Sequence, residues 1–416
     1  MFDLAGAGKQ GFDAERLARI DPFLAKTYID NGRLPNAQLV VARDGQPVHY
    51  TRLGTMGDDK RALRDDALFR IASMTKPVTS VAFMQLVERC EVALEEPVTR
   101  IFPEFADLKI YNGGGGVIPF APGKPAPPIR FVDLLTHMSG LTYGLQNRNN
   151  IDAAYREHNF DFARDHLDSD GFIDKLSKLP LEFAPGQGWN YSVATDVLGI
   201  AVERISGMRL GDYFEKYIFA PLGMADTRFG VAEGQSERLV DAYAYQPGKA
   251  PKMINAGVTS KLNQPGAFDS GGGGLIGTIA DYHRFSTMLL NGGELDGARI
   301  LSPKTLRLMR TNHLPNNADL AEMSSSLFSE ANNAGTGFGL GFAVVIDLAK
   351  TLMPSSMGEF YWGGAYSTAF FVDPIERITM VFMTQVYPSS TYPIRRQLKT
   401  LIYSALTDSY ANGDRP

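Results

Sequence analysis

Apolar residues recur at three- and four-residue steps in several stretches of the chain, and alternate or cluster in short runs in others. From Phe12 to Asn31 the set Phe12, Leu17, Ile20, Phe23, Leu24 and Tyr28 falls on one side of a helix. Two short apolar runs, Gln38–Ala42 and Pro47–Tyr50, then flank Asp44-Gly45. That dipeptide favours a tight turn, so the segment predicts a hairpin. Helical spacing returns after Ser73, with Val78, Val81, Ala82, Leu86 and Val87 forming a buried face, and again from Ala280 to Leu290. Four strand signals follow, at Phe338–Ile346, Glu359–Trp362, Ser367–Val372 and Ile378–Gln385. Asp373-Pro374 with Glu376-Arg377 turns between the last two, and a helix over about 393–409 closes the chain.

A single hairpin is not stable in water and needs further strands beside it. Those strands come only near the C-terminus, so the pattern predicts one antiparallel sheet shared by the two ends of the chain. The middle differs. Its strand signals are sparse, its loops are rich in Gly and Pro (Gly113–Gly116, Pro119–Pro128), and it has short helical patterns at Val132–Leu135, Gly171–Leu179, Ala194–Ile205 and Gly211–Phe219. The expected fold class is therefore α/β (α+β): an antiparallel sheet flanked by helices from both chain ends, interrupted by an all-helical insert. The expected division is a discontinuous α/β domain, 1–92 with 268–416, and a mainly helical domain, 93–267.

Composition narrows the function. A chain of 416 residues that is 44% hydrophobic can bury a sizeable core. A net charge of -5, with Lys and Arg scattered, argues against nucleic acid and against an anionic membrane surface as partners. The first eleven residues lack the basic and apolar segments of a signal peptide, and no apolar run reaches the roughly 18 residues that span a bilayer, so a cytoplasmic location is expected. The lone cysteine, Cys90, excludes an internal disulfide and reads as a small buried apolar residue. The six histidines show no metal-ligand spacing, so no metal or cofactor is expected. His137 reads as a hydrogen-bonded structural residue.

The chemistry centres on Ser73-Met74-Thr75-Lys76, at the head of a helix. Residues three apart share a helix side, so a hydroxyl and an amine face each other. Unpaired N–H groups at a helix start suit a developing negative charge. A serine becomes a nucleophile when a neighbour takes its proton, and an amine can do so if burial lowers its pKa from about 10.4. A second stretch, Gly188-Trp189-Asn190-Tyr191-Ser192-Val193, places Tyr191 at the entrance of another helix, where its phenol can face a cleft. In a third, Tyr361-Trp362-Gly363-Gly364-Ala365, paired glycines let the backbone approach a ligand. The N–H of Ala365, with that of Ser73, would make an oxyanion hole. No Gly-x-Ser-x-Gly elbow is present.

Taken together these motifs resemble those of the serine β-lactamase and penicillin-binding protein superfamily. Within it the chain is similar to the class C β-lactamase-like esterases, the family VIII carboxylesterases. Ser73-Met74-Thr75-Lys76 matches the Ser-x-x-Lys motif, Tyr191 the tyrosine of the Tyr-x-Asn motif, and Trp362-Gly363-Gly364 sits where lactamases carry Lys-Thr-Gly. Framework segments at Leu134–Gly140, Pro221–Met224 and Gly273–Asp281 match in the same order. The resemblance implies the discontinuous α/β domain, the helical domain and a site in the cleft between them. Two departures shift the expected substrate. Val193 stands in place of the asparagine that holds a lactam's amide side chain, and Trp362 in place of the lysine that attracts its carboxylate.

The expectation is a serine carboxylesterase acting on small hydrophobic, short-chain acyl esters. Ser73 attacks, Lys76 and Tyr191 share the proton transfers, and Trp362, Gly363 and Gly364 contact the substrate. The alternatives are a β-lactamase or promiscuous cephalosporin hydrolase, an acyltransferase, and a catalytically idle binding protein of the same fold.

Overall fold

A computed structural model describes residues 2–115, 118–325 and 333–412; Gly116 of the glycine-rich loop and the last four residues lie outside them. Its central feature is a seven-stranded sheet. The spatial order is Thr336–Phe338, Ala343–Val345, Phe360–Gly363, Ala369–Asp373, Ile378–Met383, Asn36–Arg43, Gln46–Gly54, and every neighbouring pair is antiparallel. The N-terminal hairpin thus pairs directly with the last C-terminal strand, Val40 opposite Val381. At its turn both Asp44 (φ 51°) and Gly45 (φ 77°) are left-handed, the conformation that lets a two-residue turn follow the strand twist.

Alternation along the strands sorts the side chains onto two faces. Leu39, Val41, Phe371, Met380 and Phe382 pack against Leu17, Ile20, Leu24 and Tyr28 from the N-terminal helices and Ile394, Leu398 and Ile402 from the closing helix Ile394–Ser404. Those three closing-helix side chains are fully buried, each contributing about 1.5–3 kcal/mol relative to exposure. On the other face Val40, Phe370, Val372 and Val381 join the larger core formed with helices Thr75–Glu88, Ala194–Ser206 and Ile279–Leu290. Buried Arg43 ties the termini together. It pairs with Glu376 at 3.2 Å, donates to the Gln10 carbonyl and stacks 3.8 Å from the Tyr410 ring.

Several expectations change. The helix after Ser73 is buried nearly all round rather than on one face, because helices and sheet enclose it; from Thr75 to Leu86 every residue is buried. The apolar run Phe338–Ile346 is not one strand. It folds back between Phe338 and Ala343 through Gly341 (φ 96°), whose missing Cβ makes room for the Ser80 side chain. The helix over 12–31 is broken into Ala14–Leu17, Ile20–Leu24 and a π-turn Ala25–Ile29. Cys90 is exposed, since the helix ends at Glu88 and Cys90 turns outward with φ 58°. The middle of the chain also carries short strands, Arg228–Phe229, Ala242–Gln246 and Lys249–Asn255, besides its helices. Among the described residues no helix is long and apolar enough to cross a membrane.

Candidate active site

Phe69–Arg70 is a two-residue strand held against Leu275–Gly277, and it delivers the chain to Ala72. Ala72 is left-handed, with φ 46°, a conformation that costs a non-glycine residue about 1–3 kcal/mol. This kink turns the backbone into a short 3₁₀ turn, Ala72–Met74, which leads into helix Thr75–Glu88. Ser73 is half-buried on that turn and lines the main cleft. The turn is braced on two sides: Tyr282 donates to the Met74 carbonyl at 2.9 Å, and the Thr75 hydroxyl accepts from the Leu275 N–H at 3.1 Å.

Lys76 is 2% exposed, and its Nζ has three hydrogen-bond partners. They are Ser73 Oγ at 3.4 Å, the Tyr143 hydroxyl at 2.9 Å and the Gly272 carbonyl at 2.5 Å. The Gly272 carbonyl is aimed by Asp196, which accepts from the Gly272 N–H at 3.0 Å and from Ser270 Oγ at 2.6 Å. Burial raises the Asp196 carboxyl above its usual range, and the Lys76 charge opposes that rise. A Cβ on Gly272 would collide with Asp196, so a glycine is required there.

Two tyrosines meet the lysine, in different ways. Tyr191 presents its ring face, with Lys76 Nζ 4.6 Å from the centroid, while its hydroxyl accepts from Trp362 Nε1 at 3.4 Å. Tyr143 presents its hydroxyl. It is buried, and burial raises its pKa well above that of a free phenol, with Asp196 adding to the effect, so it is a neutral phenol at physiological pH. The two rings lie 5.2 Å apart. The sequence motifs did not single out Tyr143; its signal was its place three residues after the framework segment that ends at Gly140.

Trp362 packs against Tyr191 (5.4 Å) and edge-on to Phe338 (5.4 Å). Gly363 ends its strand and Gly364 follows it. A Cβ at Gly364 would run into the Ile71 carbonyl and the Thr368 hydroxyl, so only glycine lets this strand lie against the serine turn. Thr368 closes that contact by donating to Ile71 O at 3.3 Å. The N–H groups of Ser73 and Ala365 have no hydrogen-bond partner among the described residues, and both residues line the cleft. The cleft encloses about 910 Å³. His137 lies beneath it, fully buried, with Nδ1 3.2 Å from Ser192 Oγ and its ring against Trp189, Tyr191 and Phe338. Burial first, and the Lys76 charge second, hold its pKa well below the usual value. Among the described residues no cluster of His, Cys, Asp or Glu could hold a metal ion.

If Tyr191 carries protons, Tyr191→Phe lowers turnover of an activated ester by about two orders of magnitude or more. Because Tyr143 makes the direct hydrogen bond to Lys76, Tyr143→Phe is expected to cost at least tenfold as well. Steady-state kcat for both variants checks this, and near-normal kcat for either one removes that residue from the proton path.

A serine hydroxyl, a buried lysine amine and two phenols brought together in an antiparallel α/β protein define the class: a protein of the β-lactamase fold. The chain belongs to the Beta-lactamase family, which matches residues 19–403. Protein Rv1367c of Mycobacterium tuberculosis is 35% identical over 86% of this chain and 88% of its own length. Esterase EstB of Burkholderia gladioli is 32% identical over 94% of this chain and 96% of its own. Among solved structures, EstCE1, described as a hydrolase with promiscuous acyltransferase activity, superposes with a TM-score of 0.77 at 26% identity, covering 94% of this chain and 99% of its own. These relatives bear out the resemblance to the esterase branch of the fold.

Proposed function

We propose that the protein is a serine carboxylesterase that hydrolyses small hydrophobic esters with short acyl chains, through an acyl-enzyme on Ser73. The observation that carries this reading is the contact chain Ser73 Oγ–Lys76 Nζ–Tyr143 OH, with the Tyr191 ring over the same Nζ and the indole of Trp362 beside it. Ser73 Oγ attacks the ester carbonyl, and its proton is taken by Lys76 in its neutral amine form or by Tyr191 as phenolate, the two sharing the proton transfers. The N–H groups of Ser73 and Ala365 stabilise the tetrahedral oxyanion. The same pair returns a proton to the departing alcohol and then activates the water that releases the acid. Trp362, Gly363 and Gly364 form the wall against which the substrate lies. The esterase name of the 32% identical relative supports hydrolysis of esters.

The test compares kcat/KM for nitrophenyl butyrate with that for a cephalosporin. The ester is expected to exceed the lactam by about 100-fold, because both polar anchors of a lactam site are replaced: the lysine–carboxylate contact is worth roughly tenfold or more and the neutral asparagine–amide hydrogen bond up to about tenfold. A cephalosporin turned over as well as the ester would reject the substrate class. Transfer of the acyl group to an added alcohol, in place of water, is the second reading; the description of EstCE1 favours it.

A further inference from the structure

Arg70 stands three residues before the serine and is 6% exposed, yet it lines the same cleft. A buried cation normally has an anion against it, because desolvating an unpaired charge costs several kcal/mol. Buried Arg43 and Lys399 follow that rule, pairing with Glu376 at 3.2 Å and Glu359 at 2.5 Å, whereas buried Lys76, which has no carboxylate against it among the described residues, belongs to the candidate catalytic group. Arg70 has no carboxylate within ion-pair distance among the described residues. Its guanidinium meets only neutral oxygens: the Val240 carbonyl (2.7 Å), Gln385 Oε1 (3.4 Å) and Asn255 Oδ1. Asp241 acts on it only through space, since its oxygens accept the N–H groups of Asp58 and Gly257. Burial pushes the guanidinium down to about 10, which leaves it charged at neutral pH.

The surroundings suit a ligand. Asn255 and Tyr366 line the cleft beside Arg70, and Tyr366 directly follows Ala365, whose N–H is assigned to the oxyanion. The Arg70 charge opposes the burial-driven rise of the Tyr366 phenol. The three neutral acceptors fix the orientation of the guanidinium fork, which removes much of the entropy cost of binding a planar anion. The lysine that a lactam site uses for its substrate's carboxylate is absent at Trp362, and Arg70 instead places a cation without a carboxylate partner in the strand that leads to the serine turn.

We infer that Arg70, with Asn255 and Tyr366, forms a carboxylate subsite, so that among short-chain esters those that also carry a free carboxylate away from the scissile bond are preferred. This rests on the ester-hydrolase reading of the same cleft. The carboxylate can belong to the acyl chain or to the alcohol, and two probes separate these sources. They are the mono-nitrophenyl ester of adipic acid and the butyrate ester of 4-hydroxybenzoate, each compared with its neutral methyl-ester counterpart.

For at least one pair the wild-type enzyme is expected to favour the carboxylate form by about tenfold or more in kcat/KM, as a charge-assisted hydrogen bond should give. That preference should shrink as salt is raised. In Arg70→Met the ratio between charged and neutral ester should fall to about one. Arg70→Lys, which keeps the charge but loses the fork, should give an intermediate ratio. If the arginine variants do not fold, competitive inhibition of the wild-type enzyme by adipate against adipamide gives the same comparison. Turnover of the neutral esters without any preference for either charged one overturns the subsite and leaves the esterase reading intact. No turnover of any of the four esters overturns the esterase reading itself.

Discussion

Ser73→Ala is expected to lower kcat/KM for a nitrophenyl ester by at least about 10⁴-fold, with little change in Tm. Deleting a nucleophile removes the covalent route, and what survives is the contribution of the oxyanion hole and of binding alone. The small effect on stability follows from the structure. Ser73 is half-buried, its hydroxyl is only 3.4 Å from Lys76, and its turn is held by Tyr282 and Thr75, which the substitution leaves in place. Alanine also occupies the neighbouring position of the same turn. Stopped assays at high enzyme concentration would measure the residual rate, and thermal melts would check the fold.

Lys76→Met is the other large effect. Loss of the amine is expected to reduce kcat by about 10²–10⁴-fold, the range for removal of a positioned proton-transfer group. Here stability changes too. The Gly272 carbonyl and the Tyr143 hydroxyl, both buried against Lys76, lose their donor, and an unsatisfied buried polar group costs about 1–3 kcal/mol. The Asp196 carboxyl loses the nearby charge that restrains its rise. A folded-state carboxyl pKa above its unfolded value means stability that is present at low pH and declines as pH rises through that interval. The variant should therefore destabilise relative to the wild type more at pH 7 than at pH 4, which melts at the two pH values would show. Equal losses at both would mean that Asp196 does not sense Lys76.

The parts of this architecture legible in the sequence are those that rest on local spacing. Asp44-Gly45 specifies its turn within two residues, and Ser73 and Lys76 lie within one helical turn, so neither needed tertiary information. The sharing of the sheet between both chain ends was also legible, because an isolated hairpin cannot stand alone. What escaped depended on contacts between distant segments. Tyr143 belongs to no spacing pattern; its role comes from the path of Gly140–Tyr143 past Lys76, a neighbour 67 positions away. The fold-back at Gly341 was hidden because Leu340 and Phe342 are both buried, which makes the run look like one continuous strand. Cys90 looked apolar and internal, but the helix stops before it. The left-handed backbone at Ala72 has no composition signature, because alanine is not a residue that favours it.

Tyr191 shows the middle case. The motif located it beside the lysine, while the cleft decided that it offers its ring, and Trp362 engages its hydroxyl.

The most direct measurement is intact-protein mass spectrometry after mixing the enzyme with an ester whose acyl-enzyme hydrolyses slowly, followed by mapping of the modified peptide. One acyl group per chain on the peptide containing Ser73, and none in Ser73→Ala, is the predicted result. Steady ester turnover with the acyl group on another residue, or with Ser73→Ala as active as the parent, would contradict the account.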